Sequence, residues 1–389
     1  MMKKIICLLF IICILMGFST NVQAYSLDKT EEINIENERQ VEGLYKYITD
    51  IKNKYEILQD LNPKEYVKNI MKTGDGKINI KNVKSLLTKY IFKEVINCSK
   101  IMAMLIVIGI ISALLKNLEN AFSSENVTNI AYFACYSLLI IIIVKSFKIG
   151  LSLTITTING MVNFMNSLIP LLLVLIASVG GIAEASVMNP LIIAMLNICS
   201  KIYVDFIIPI ILMSFMLMFV NNISKDYKIS NLSNLFNKVA LWSQGILMTI
   251  FVGVISIRGI TCKTFDVVTA KTAKYAVDNF VPIVGKCLSD ALSAVAGYSI
   301  LLKNALSVLG LVVIISIVAF PIIKMLIIVL IYKTTAALLE PICDERIVNC
   351  VNGTGDSLTL ITSTLISVSI MFFIMISILF AAGTGVLGG

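Results

Sequence analysis

"ALSVLGLVVIISIVAFPIIKMLIIVLIYKTTAALL" occupies residues 305–339, and its only charged residues are Lys324 and Lys333. A chain crosses a bilayer with about 20 predominantly apolar residues, so this tract is membrane-embedded and longer than one crossing needs. Pro321 and Lys324 sit near its middle. A proline removes a helical hydrogen bond, so two segments joined by a kink are expected here.

The same signature recurs on both sides. "IMAMLIVIGIISALL" (101–115) and "IAYFACYSLLIIIIV" (130–144) each read as a span, the second closed by Lys145 and Lys148. Residues 151–168 are rich in Thr, Asn and Ser, which suits either polar contacts between helices or a polar pathway. Pro170 opens an apolar run that stops at Gly180-Gly181, and Glu184 and Asn189-Pro190 follow. Residues 187–220 form another long tract, holding Lys201, Asp205 and Pro209. A straight helix of that length would extend about 50 Å, so it must bend or break. Lys201 and Asp205 are spaced i, i+4 and can pair, and ionisable groups at membrane depth are functional candidates or interfacial residues. Trp242 marks a headgroup-level start to a span ending near Arg258, and residues 358–382 form a last span. The expected fold is an all-α polytopic membrane protein with kinked or broken helices, with seven to nine membrane segments within 96–389.

Composition agrees. Of 389 residues, 57% are hydrophobic and 14% charged, against about 25% charged for a soluble domain. The net charge of +8 is spread along the chain, which suits anionic headgroups and not nucleic acid. There is no histidine, which removes Ser-His and Cys-His nucleophilic sites and histidine zinc sites. None of the nine cysteines forms a C-x-x-C pair. Most serve as small hydrophobes; a Cys343–Cys350 disulfide would require an oxidising compartment. No G-x-x-x-x-G-K-[ST] loop occurs. No enzyme, cofactor or metal site is expected.

The first 24 residues have the layout of a secretory signal: Lys3 and Lys4, an apolar run from Ile5 to Phe18, and Val22-Gln23-Ala24 as cleavage site. An uncleaved first anchor is the alternative. Residues 25–95 would then form an extracytoplasmic helical domain. Val41, Leu44, Ile48, Ile51 and Leu58 make one helical stripe, and Asn62 and Pro63 cap and open a second helix. A third starts near Asn79 and enters the membrane. The small domain either binds a partner or folds onto the bundle.

Between two apolar blocks lies a charged insert, 259–303, whose centre reads "AKTAKYAVDNFVPIVGKCLSDAL" (270–292). Lys274–Asp278 and Lys286–Asp290 are i, i+4 pairs, Lys271 precedes them, and Pro282 separates two amphipathic helices. Neither is apolar all round, so each lies in the interface or lines a water- or protein-filled space. Glu184, Lys201, Asp205, Lys271, Lys274, Asp278, Pro282, Lys286 and Asp290 are therefore the candidate pathway or subunit-contact residues.

This insert with "GYSILLKNALSVLG", and the block "SLIPLLLVLIASVGGIAEASVMNP", resembles the stage III sporulation protein AE family. The resemblance implies a multipass subunit of a transenvelope channel in endospore-forming bacteria. It would sit in the mother-cell membrane around the forespore, with other stage III A proteins, a forespore membrane partner and a separate ATPase if the channel is energised. It brings no catalytic residues. A stand-alone small-solute permease, using Asp205, Glu184 and the charged insert, and a passive scaffold are the rival readings.

Overall fold

The computed structural model describes residues 30–52, 58, 61–73, 80–122, 125–178, 182–223, 230–280 and 285–382. The signal-like stretch and Pro282 lie outside these residues, as do the side chains of 257–296 and of Glu184. Every described element is helical: α1 (Thr30–Lys52), α2 (Pro63–Thr73), α3 (Ile80–Phe122), α4 (Glu125–Ser178), α5 (Ile182–Ile202), a π-helical turn (Tyr203–Ile207), α6 (Ile208–Ile223), α7 (Ser230–Phe280), α8 (Gly285–Leu339) and α9 (Glu345–Ala381).

Among the described residues, six stretches are long and apolar enough to cross a membrane: Ser85–Lys116, Phe133–Ser178, Pro190–Asn221, Ser230–Ser256, Gly297–Leu339 and Glu345–Ala381. This is a multipass α-helical membrane protein. Seven to nine segments had been expected because the apolar tracts were divided at Lys145/Lys148, Pro170 and Pro321. The structure keeps α4 continuous through Pro170 and α8 continuous through Pro321. Proline costs one backbone bond, and neighbouring helices in a bundle compensate for it. The tract 187–220, for which a bend or break is expected, runs without a break from α5 into α6 through the π-helical turn, with α-helical backbone angles at both junctions; the turn inserts one residue into the helical ladder.

α8 is the spine. It packs against α9, α4, α3 and α2, while α9 also meets α4, α6 and α7. α3 runs parallel to α8 in constant register: Tyr90 faces Phe320 (ring centroids 4.4 Å apart), Glu94 faces Lys324, and Gly109 faces Leu339. A Cβ at Gly109 would stand 2.6 Å from Leu339 Cδ2, so glycine is what lets the two backbones approach. α4 and α9 run antiparallel to α8, because Met325 and Leu358 both meet Gly150, and Leu168 and Ile376 both meet Gly310.

From Val41 onward the amphipathic segment packs onto the bundle. Leu44, Ile48, Leu58 and Val67 are buried in the same apolar core as Phe164 and Leu168. Tyr47 stacks on Phe164 with centroids 6.3 Å apart. Burial, then the neighbouring Tyr298, pushes the Tyr45 phenol up to about 12. α2 begins where the sequence indicates, with Pro63 first and the Glu65 amide donating to Asn62 Oδ1 at 3.5 Å.

Candidate functional site

The polar features of the bundle concentrate where helices are tied together. Lys324 Nζ lies 3.3 Å from Glu94 Oε1, joining α8 to α3, and the Glu94 side chain is only 9% exposed. One turn before each partner, Tyr90 and Phe320 close the contact. Two and a half turns further along α8, Lys333 donates to Asp356 Oδ1 at 2.6 Å and to Asn352 Oδ1 at 2.7 Å on α9. Gly355 makes room for the lysine stem: a Cβ there would lie 3.1 Å from Lys333 Cε.

Lys303 is completely buried. Its ammonium donates to the Phe380 carbonyl at 2.9 Å and to the Ala382 carbonyl. These lie at the end of α9, where carbonyls lack helical partners and the helix dipole favours a cation. At the other end of α9, Asp344 is the N-cap, accepting from the Arg346 amide at 2.9 Å, from Arg346 Nε at 3.2 Å and from Lys116 of α3. Burial alone would raise the Asp344 carboxyl, but Lys116, the Arg346 amide and the guanidinium outweigh it and hold it down to about 2.

Neutral groups add a second set of ties. Gln244 of α7 donates to Thr364 Oγ1 at 2.9 Å and accepts from Ser363 Oγ at 3.0 Å. Ser214 and Ser233 join α6 to α7, and Asn166 pairs with Asn197 across α4 and α5. Within 151–168, Thr157 and Ser167 return their hydroxyls to their own helix, at the carbonyls of Leu153 and Asn163. Asn166 provides the interhelical contact foreseen for this polar stretch.

The sequence-derived candidates fall differently. Lys201 and Asp205 are both exposed and straddle the start of the π-helical turn. Among the described residues they form no ion pair with each other; the turn's wider winding removes the i, i+4 geometry. Glu184 lies in the first turn of α5. Lys271, Lys274 and Asp278 lie on the last three turns of α7, and Lys286 and Asp290 open α8. The charged insert is thus the continuation of two long helices, α7 ending at Phe280 and α8 beginning at Gly285. Cys343 and Cys350 are free thiols; burial, then the neighbouring Asp344, pushes the Cys343 thiol up.

Glu94, Lys303, Lys333 and Asp356 were not foreseen. Lys324 and Lys333 carried a signal, as the only charges in 305–339. Their partners did not, because α3 and α9 meet α8 only after folding. Among the described residues no cluster of metal-ligating side chains occurs.

Residues 61–383 match the family model described as stage III sporulation protein AE. The chain belongs to that family. It is also 34% identical over 310 residues to the stage III sporulation protein AE of Bacillus subtilis (strain 168), covering 80% of this chain and 78% of that protein. No solved structure matches it. The matched region begins at Leu61 and runs through α2 to α9. It contains every interhelical hydrogen bond and ion pair described above. This AE-family protein is therefore a sporulation-related multipass membrane protein, of a family not known for enzymes.

Proposed function

We propose that this chain is a multipass subunit of a transenvelope channel complex, required for endospore development after engulfment. It lies in the mother-cell membrane around the forespore. Its partners are the other stage III A proteins and a forespore membrane protein, with a separate ATPase if the channel is energised. Family membership supports the sporulation role. One structural observation favours a subunit over a stand-alone permease: Glu94, Lys303, Lys324, Lys333 and Asp356 are engaged in ties between helices. Charges inside a transporter ordinarily mark its pathway; here they lock the bundle. The helix ends carrying Lys271, Lys274, Asp278, Lys286 and Asp290, together with Glu184, Lys201, Asp205 and Pro282, are the candidate contacts to other subunits.

Deleting the gene in its spore-forming host should arrest development after engulfment, and wild-type chain should restore spores. Normal spore yield without the chain would overturn the proposal. Solute uptake by the purified chain alone in liposomes would favour the permease.

A further inference from the structure

The exposed side of α4 changes character along its length. Up to Ile141 it is apolar, with Phe133, Leu138 and Ile141 turned outward. From Lys145 to Asn166 every exposed residue except Ile149 is polar. Lys145 and Lys148 open a stripe that Ser152, Thr156, Asn159 and Asn163 continue at spacings of three or four residues, which keeps them on one helical face. The stripe ends at Asn166, about 31 Å from its start at 1.5 Å per residue, and a hydrocarbon core is about 30 Å thick. The Asn166–Asn197 pair ties it to α5. The next exposed polar residues there are Lys201 and, in the π-helical turn, Asp205. Ile198 and Phe206, each one position on from a polar member, are exposed and apolar, so the polar surface ends there.

At the same height other helices turn apolar side chains outward. Gly150 of α4 is met by Met325 of α8 and Leu358 of α9, and Leu168 and Ile376 meet at Gly310. Residues 150–168 of α4 therefore lie beside 310–325 of α8 and 358–376 of α9. On those stretches Ile315, Ile370 and Phe373 are 52%, 44% and 43% exposed, and the one charged residue, Lys324, is tied to Glu94. The bundle is thus two-sided at one level: α8 and α9 suit lipid, and α4 with α5 does not. Ser146, Thr157 and Ser167 return their hydroxyls to carbonyls of α4 itself. Ser152, Thr156, Asn159 and Asn163 have no side-chain partner among the described residues. Unpaired amides and hydroxyls are costly in hydrocarbon.

We propose that this face of α4, continued by Asn197, Lys201 and Asp205, is one wall of a water-filled passage for hydrophilic solutes across the membrane. Polar groups exposed at membrane depth face water or protein, not lipid. Water is the occupant this face fits. Interface cores are depleted of charge and rich in aromatic and apolar groups, whereas this surface carries Lys145, Lys148, Lys201 and Asp205 and, between Lys145 and Asn166, one exposed apolar residue. The stripe lies on the outside of the bundle, so a single chain supplies one wall only. The inference rests on the subunit reading above for the neighbours that enclose the rest.

The test uses the full-length chain in membranes of its sporulating host, opened so that reagent reaches both faces. Asn159→Cys and Asn163→Cys are compared with Ile370→Cys and Phe373→Cys for reaction with a negatively charged methanethiosulfonate reagent, each read as the gain over the unsubstituted chain. A thiol reacts as its thiolate, which forms in water and not in hydrocarbon, so the α4 positions should react at least about tenfold faster than the α9 positions. Ser152→Cys and Thr156→Cys serve as second positions if the asparagine variants are lost from the membrane. Reaction at the α4 positions as slow as on α9 would overturn the proposal, because lipid or protein then covers the stripe. Equally fast reaction on both helices would overturn it too, because the whole level then stands in bulk water. Capture of other stage III A proteins from the same membranes separates the two readings. An unreactive stripe with those partners recovered overturns the passage alone, and a reactive stripe without them overturns the subunit reading.

Discussion

Lys324 and Glu94 meet 3.3 Å apart across two parallel helices, with Glu94 buried and Lys324 partly open to the surface. The pair joins matched positions of α3 and α8, so it fixes the register of one helix against the other. Removing one member of a buried pair leaves an uncompensated charge, at a cost of about 3 kcal/mol. Lys324→Met should lower the unfolding temperature in detergent, and Glu94→Gln in the same chain should recover much of the loss. Equal stability of wild type and Lys324→Met would show that the pair does not hold the helices.

The contact of Lys303 with the end of α9 predicts a local effect. Lys303→Met removes the donor to the Phe380 and Ala382 carbonyls and leaves buried acceptors unpaired, which costs about 1–3 kcal/mol. Amide exchange should accelerate at residues 376–382 before it does at 345–360. Unchanged protection of that last turn would rule the contact out.

Gly109 predicts a steric effect with a rescue. Any side chain there meets Leu339 and Cys343, and overpacking costs about 1–3 kcal/mol. Gly109→Ala should destabilise the protein, and adding Leu339→Ala should restore part of the loss. If the double variant is as unstable as the sum of the singles, the two helices do not touch there.

Asp344 sets the pH dependence. Its carboxyl is held at about 2 in the folded chain, below the ~3.9 of an unfolded aspartate. Its stabilisation, about 1–2 kcal/mol after allowing for the exposed Lys116 partner, is complete above the unfolded value. It declines as pH falls through that value and is gone below about 2. Melting temperatures from pH 6 to pH 2 should therefore fall less for Asp344→Asn than for wild type. Parallel curves would remove Asp344 from the account.

Much of this was legible in the sequence, and the rest was hidden for definable reasons. The start of α2 follows from Asn62-Pro63, because capping is local. The length of 187–220 marks it as irregular, but the irregularity is a π-helical turn inside a continuous helix and not a break. The continuity of α4 and α8 through Pro170 and Pro321 did not follow, since a proline inside a packed bundle costs less than its local penalty suggests. The ties were hidden more deeply. Lys324 lies 230 positions from Glu94, and nothing in either neighbourhood specifies the other. The i, i+4 spacing of Lys201 and Asp205 was legible but misleading, because the π-helical turn between them alters the winding.

In the function proposed above, the chain works as a subunit among other stage III A proteins. The most direct measurement is affinity capture of the tagged chain from membranes of its own sporulating host after engulfment, solubilised gently and identified by mass spectrometry. Other stage III A proteins should be recovered with it, and should be lost when Lys274 and Asp278 are both reversed in charge while the chain itself stays in the membrane. Recovery of the chain alone, from cells that are making those proteins, would contradict it.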